Sequence, residues 1–599
     1  MPLCSERKST DGGSQMKKLT ISFFIFLSAI LWSLSCASIA DSAAPGIPGL
    51  AESVEAECIS YVGGAPVPAD VKPVVILQGS DFDMGYQFFQ QLVQIYGKEV
   101  ASRQYLPFNF DSAPLAHKGE WTVEQLKALK AFQWHIRQDT PEMIDFMKGM
   151  AAGATDAGVP LSYQDVLAHM ARQMHIAPFV PTYPGTEPAG SEKESLEANE
   201  HCSGFAAWGK ATKNGKLIAS ASGDHFRMFD VTIVAFPKTG NNYIFMPYRV
   251  SLLSAGGLPG MNNKGLAYVH HGGGSPWWTA STCAENKWAY GTPPGFIVLN
   301  ILRFKNTAKE AREKLLSTKP KDGVYDQMGF WADISGDAFI MRCKNVYRKA
   351  GDFGEEDFMH ATNNYLLKQY CRDNEAYYDH GGCGTKDPSK PGSSVTRNLS
   401  LWDLLHNYVG KVDLEFAKMM WRHHSEDPDN PAAAGPQISY VGLMVPDKGN
   451  EGQYYVATRC PSKTCGVNGN YVQVHSFYQL QLAAGPDELI SAARAQATKD
   501  LNAADHVLRR MNRSDASYAA LDKMLNQAIA ELYRGYYYQS VGVRAKGNDA
   551  VYNKAKATRA FTRCQAYAKE VHESLVPPPA SPKDLGLKPL EVRALFKKK

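Results

Sequence analysis

The chain has 599 residues, 44% of them hydrophobic, enough to bury a large core and to form several folding units. Its 64 Lys and Arg against 60 Asp and Glu leave a formal net charge of +4, which argues against nucleic acid or an anionic membrane surface as partner. No internal repeat stands out, and no second long apolar run follows the N-terminal one, so no stable membrane span is expected in the mature chain.

Residues 1–40 read as an export leader. Met16-Lys17-Lys18 starts a basic region, Leu19 to Leu34 is nearly all apolar, and Ser38-Ile39-Ala40 offers the small residues that a signal peptidase prefers. Asp41 is the expected first mature residue, and the expected location is secreted or periplasmic. Ser33-Leu34-Ser35-Cys36 is a poorly ordered lipoprotein-type signal, which leaves anchoring at Cys36 as the lesser alternative. Cysteine use agrees with export. Beyond the leader, which carries Cys4 and Cys36, setting Cys202 aside leaves Cys58, Cys283, Cys343, Cys371, Cys383, Cys460, Cys465 and Cys564, an even set that suits disulfides; buried thiols are the alternative.

From 41 to 201 the text is mixed. Val74 to Leu77 reads as a strand, Met84 to Val100 as a helix with Phe88, Phe89, Leu92 and Ile95 on one face. Thr140-Pro141 reads as the cap and first turn of another helix, with Met143, Phe146, Met147 and Met150 as core. Pro184 to Asn199 is a charged, Gly/Pro-rich loop. From 202 to 482 short apolar runs at 205–208, 216–219, 231–236, 243–246, 338–341 and 471–474 read as strands, with helices around 307–316 and 398–409. Residues 483–575 are helical in pattern, and 576–599 form a loose tail. Strands with interspersed and following helices predict an α+β layered fold.

The most informative stretch is His201-Cys202-Ser203-Gly204-Phe205, followed by Gly223-Asp224. An internal cysteine has no amine of its own. Cutting the His201–Cys202 bond would create an α-amine with an ordinary pKa of about 7.7–8.0, next to a thiol at about 8.5. One residue would then hold both nucleophile and base. The doublet His270-His271 before Gly272-Gly273-Gly274 lacks further ligands at metal-binding spacing and reads as a strand end entering a loop; no metal and no cofactor are expected.

Several motifs together resemble the isopenicillin-N acyltransferase-like (acyl-CoA:penicillin acyltransferase) branch of the N-terminal nucleophile hydrolases, related to choloylglycine hydrolases and phospholipase B-like proteins. Gly79-Ser80-Asp81-Phe82-Asp83-Met84-Gly85-Tyr86 looks like the family's opening segment, with Phe88 or Phe89 where a further glycine is usual. Phe146-Met147-Lys148-Gly149-Met150-Ala151-Ala152-Gly153-Ala154 looks like its Gly/Ala helix, with Phe146 in place of Glu. The segments 202–224 and 260–267, Thr362-Asn363 and Ser393 to Arg397 follow in the family's order.

The resemblance implies an Ntn-hydrolase four-layer αββα sandwich, here with a helical C-terminal extension, and self-cleavage between His201 and Cys202. The α chain (41–201) and the β chain (from 202) would stay associated. Cys202 matches the nucleophile, Asp224 the residue that orients the α-amine, Asn363 an oxyanion donor, and Arg397 the arginine that closes the site electrostatically. Ser222 and His225 stand where Asn and an aromatic residue are usual. His271 and Gly272 occupy the neighbourhood of a missing oxyanion Asn, so His225, His271 and Gly272 are further candidates for substrate or oxyanion contact. The implied reaction is cleavage or transfer of an acyl group from an amide, through a thioester on Cys202. A small-molecule acyl-amide or lipid-like substrate is expected, with aromatic loop residues Phe226, Met228, Trp277, Trp278 and Tyr290 around it. The alternatives are a phospholipase B-like lipid deacylase and a non-catalytic exported binding protein. Taken alone, Cys202 fits a structural thiol, Asp224 a turn residue, Asn363 a loop residue and Arg397 a surface ion-pair partner.

Overall fold

A computed structural model describes residues 71–105, 121–173, 202–224, 231–247, 259–270, 292–318, 329–343, 346–352, 354–362, 393–422, 438–458, 474, 476–579 and 581–588. All of them fall in the compact unit Pro68–Lys599. The leader, Cys36, and the cysteines at 58, 283, 371, 383, 460 and 465 lie outside the described residues. So do the loop at 184–199 and the strand expected at 471–473.

The protein is an α+β structure. Its strands are β1 (Val74–Gly79), β2 (Ser203–Gly209), β3 (Gly215–Asp224), β4 (Thr232–Pro237), β5 (Tyr243–Phe245), β6 (Gly260–Asn262), β7 (Leu266–His270), β8 (Gly329–Asp333), β9 (Ala338–Cys343), β10 (Val346–Lys349), β11 (Phe358–Thr362), β12 (Ile438–Val445), β13 (Gln453–Thr458) and β14 (Tyr478–Gln481). They form an eight-stranded sheet, β1-β4-β5-β6-β7-β8-β9-β10, and a six-stranded sheet, β11-β2-β3-β12-β13-β14. β1 pairs with β4 in parallel, Val74 opposite Thr232.

Alternation along the strands explains the layers. In the first sheet Val74, Ile76, Val234, Ile244, Ala267, Val269 and Phe330 share a core with Ala206, Trp208, Leu217, Ala219, Tyr440 and Tyr454 of the second. The intervening residues Val75, Leu77, Ile233, Tyr268 and Trp331 face helices on the other side of the first sheet. Phe205, Ala207, Ile218 and Phe358 likewise face helices on the other side of the second. With both faces covered, the strands read as continuous apolar runs rather than as alternation with polar residues.

The helices on the first sheet are α1 (Asp81–Tyr105), α2 (Val123–Asp139), α3 (Glu142–Asp156), α4 (Tyr163–Gln173), α5 (Pro294–Phe304) and α6 (Ala308–Ser317). Those on the second are α7 (Ser393–Asn407) and α8 (Leu414–Arg422). α1 starts earlier than its apolar pattern suggests because Ser80 and Asp83 cap it reciprocally: the Asp83 N–H donates to Ser80 Oγ and the Ser80 N–H to Asp83 Oδ2. It is interrupted at Gly97, where φ is 81°. Thr140 is not the N-cap of α3. It closes α2 instead, its N–H and hydroxyl donating to the Ile136 carbonyl, and Pro141 precedes α3 without a side-chain cap. α7 begins at Ser393, a turn before the apolar period becomes visible.

Two motifs of the first half have a packing cause. A Cβ at Gly85 would lie 1.9 Å from the Phe146 carbonyl, and one at Gly149 2.0 Å from the Phe82 carbonyl, so α1 and α3 approach backbone to backbone. Phe88 of α1 and Phe146 of α3 pack on each other at 5.9 Å between ring centroids.

Residues beyond 483 form α9 (Pro486–Leu508), α10 (Tyr518–Arg544) and α11 (Gly547–Leu575). These are part of the same compact unit. α11 lies against β1 and β14, an edge strand of each sheet, and contributes Val551, Ala555 and Ala566 to the core between the sheets. Arg559 Nη1 donates to the Val74 carbonyl at 3.1 Å, and Gln565 exchanges hydrogen bonds with the Gln479 backbone. Edge strands expose such groups, and this helix covers them on both sheets. Among the described residues no helix is long and apolar enough to cross a membrane.

Candidate functional site

Cys202 immediately precedes β2, a strand paired on one side with β11 and on the other with β3. Its side chain is 2% exposed. Alternation sends Ser203, Phe205 and Ala207 toward the helices of the second sheet, and Gly204, Ala206 and Trp208 toward the first sheet. At Gly204, two residues into the strand, the two sheets approach closely. A Cβ there would lie 2.5 Å from Val269 Cγ1 and 2.8 Å from the His270 carbonyl oxygen.

That approach brings the last residue of β7 to the thiol. His270 Nε2 lies 3.2 Å from Cys202 Sγ, and both groups are buried. Along β7, Leu266 and Tyr268 face the outer helices, and simple alternation would send His270 the same way. The contact is made at the strand ends, where that rule no longer binds. In the sequence His270 reads only as a strand end; its visible signal is a histidine closing an apolar run, ahead of a glycine cluster.

Arg397 reaches the other side of the same residue. It sits in the first turns of α7, fully buried, and its Nη1 donates to the Cys202 carbonyl oxygen at 2.6 Å and to Ser203 Oγ. The surface ion-pair alternative for Arg397 is therefore set aside. A buried guanidinium needs several acceptors, and the Cys202 carbonyl and the Ser203 hydroxyl supply two of them. The Ser203 N–H donates to Ser222 Oγ at 3.1 Å, so this buried serine of β3 helps to hold the strand end.

Next to Arg397, Asn398 accepts from His360 Nε2 at 3.1 Å and lies 3.5 Å from Thr362 Oγ1. Thr362 is the β11 residue opposite Ser203. Burial pushes the His360 ring down to about 3, with the Arg348 guanidinium adding to the shift and the Asn398 bond opposing it. His360 is thus a neutral ring that orients Asn398.

Of the residues singled out from the sequence, Cys202 and Arg397 are brought together. The Asp224 backbone ends β3 opposite Ile438. The Asp224 side chain, and His201, His225, His271, Gly272 and Asn363, lie outside the described residues, as do Phe226, Met228, Trp277, Trp278 and Tyr290. Among the described residues no group of three or more His, Cys, Asp or Glu could hold a metal ion. A cavity of about 20 Å³, the size of a water site, lies under α1, α3 and α5, lined by Asp81, Glu142, Tyr243 and Arg303. It opens on the helical face of the first sheet, away from the core that the two sheets share.

The arrangement supplies a buried thiol, an imidazole in contact with it, and a guanidinium fixing the backbone between them and α7. The imidazole is within hydrogen-bond reach of the sulfur and so is placed to accept or donate a proton there. No protein-family model and no curated protein matches the chain.

Proposed function

We propose that the protein is an autoproteolytic cysteine hydrolase or acyltransferase of the N-terminal nucleophile type, acting on an acyl amide through a thioester on Cys202. The observation that carries this reading is the hydrogen bond from Arg397 to the Cys202 carbonyl, between residues 195 apart in sequence. The resemblance had paired those two residues on motif order alone. Two sheets sharing one core, each with helices on its outer face, support the four-layer αββα sandwich that the same resemblance implies.

Cleavage before Cys202 would free an α-amine beside the thiol. The Arg397 guanidinium on the same residue disfavours the ammonium form of that amine, leaving it able to take a proton. The thiol then attacks the acyl carbonyl, the amine returns the proton to the leaving nitrogen, and water or a second amine takes the acyl group. Asp224 and Asn363 are the candidates to orient the amine and to receive the oxyanion. Arg397 acts as a positioning residue. The parallel pairing of β1 with β4 supports continued association of the two chains, since it joins residues on either side of the cut. The N-terminal leader favours a secreted or periplasmic enzyme.

Intact-mass measurement and N-terminal sequencing of purified protein test the reading. The expected result is a chain starting Cys-Ser-Gly-Phe that turns over acyl amides, with Cys202→Ala uncut and inactive. An active single chain would overturn it, and release of fatty acid from phospholipid without amide turnover would move the substrate to lipids.

A further inference from the structure

Self-cleavage poses a problem that the mature enzyme does not have. Before the cut, the nitrogen of Cys202 is an amide and holds no basic lone pair, so the amine that serves turnover cannot serve maturation. Some other group must accept the thiol proton. His270 Nε2, at 3.2 Å from Sγ, is within reach, and both side chains are 2% exposed.

We propose that His270 is the base of self-cleavage, taking the Cys202 thiol proton in the uncut chain; this rests on the function proposed above. The thiolate forms a bond to the carbonyl carbon of His201. The His201–Cys202 C–N bond then breaks as the proton held on His270 passes to the departing nitrogen, which becomes the α-amine. The product is a thioester between the His201 acyl group and Sγ. Water hydrolyses it, leaving a carboxylate on His201 and the thiol restored on Cys202.

Three features support the assignment. The imidazole reaches Cys202 from the opposite sheet and lies 68 residues away in sequence, so the contact is a product of the fold and not of chain proximity. Gly204 permits it, since any side chain there would collide with Val269 and the His270 carbonyl. Arg397 faces the same residue from α7 and favours the thiolate once it forms.

The test compares wild type and His270→Gln, both expressed as the full chain, for the rate of cleavage before Cys202. A general base contributes on the order of 100- to 10,000-fold, so His270→Gln should accumulate uncut chain at least about 100-fold longer. A second measurement guards against a merely structural loss: the pH profile of Cys202 alkylation by iodoacetamide in the uncut chain, read by peptide mass. Wild type should alkylate below pH 7, and His270→Gln only near the ordinary thiol range of about 8.5. Cleavage of His270→Gln within a few-fold of wild type overturns this proposal and leaves the function above standing. Slow cleavage with an unchanged alkylation profile also overturns it. A wild-type chain that is never cut removes both.

Discussion

Cys202 and Cys564 are both buried thiols, and only their neighbourhoods set them apart. Cys564 sits in α11 among Ile490, Ala493, Ala497, Phe561 and Ala568, with the Ala497 carbonyl 3.9 Å from its sulfur. Burial, with the Glu531 and Asp500 carboxylates adding to it, pushes its thiol far up, out of any reactive range. Cys202 lies at a strand start where groups from β7 and α7 converge, an imidazole on its sulfur and a guanidinium on its carbonyl. Depth of burial is the same in kind at both places. What differs is the polar company, and that is what makes one thiol a candidate nucleophile and the other a piece of core.

The largest test of this contrast is the pair of alanine variants. Cys202→Ala should abolish cleavage and turnover, while Cys564→Ala should process and turn over within about twofold of wild type, because the free energies of distant sites add nearly independently. Loss of function in Cys564→Ala with an unchanged melting temperature would break the contrast. Next comes Arg397→Leu, which leaves the Cys202 carbonyl and Ser203 hydroxyl without their shared donor. A nucleophile displaced by about 1 Å loses on the order of 100-fold in rate, to be read as kcat/KM in whatever chain is processed.

A smaller effect is expected from Gly204→Ala. Its methyl group would meet Val269 and the His270 carbonyl, so the sheets must separate locally, at a cost of about 1–3 kcal/mol seen in chemical denaturation. Cleavage should slow alongside. The smallest concerns His360, whose ring is held neutral in the fold. Its folded value, about 3, lies below its ordinary 6.5, so its contribution to stability is complete above pH 6.5 and is lost as pH falls from there toward about 3. The acid-side slope of the unfolding free energy should shrink by about one proton in His360→Gln.

Much of the framework was legible in the chain. Apolar runs at Val74–Leu77, Phe205–Trp208 and Ala338–Met341 lie within β1, β2 and β9, and the Met/Phe period from Met143 to Met150 lies on the buried face of α3. Thr140 caps the end of α2 and not the start of α3, because the same residues can end one helix as readily as begin the next, and the Ile136 carbonyl is available to Thr140. Within the site, Cys202 and Arg397 were visible through motif order. The contacts of His270 and Ser222 were not, since a histidine at a strand end and a serine within a strand carry no local mark of what they face.

The helical C-terminal region shows the same division. Its helices are plain in the sequence from their pattern alone, but nothing in 547–575 says that Arg559 and Gln565 meet the edges of two different sheets. By itself, the sequence determined the elements and the faces that must be buried, and it singled out Cys202 by its place in an order of motifs. Only the tertiary structure decided which polar groups stand against that cysteine. Periodicity reports which way a residue points relative to its neighbours in the chain. The packing of one sheet upon another, close here because residue 204 is a glycine, decides what it touches.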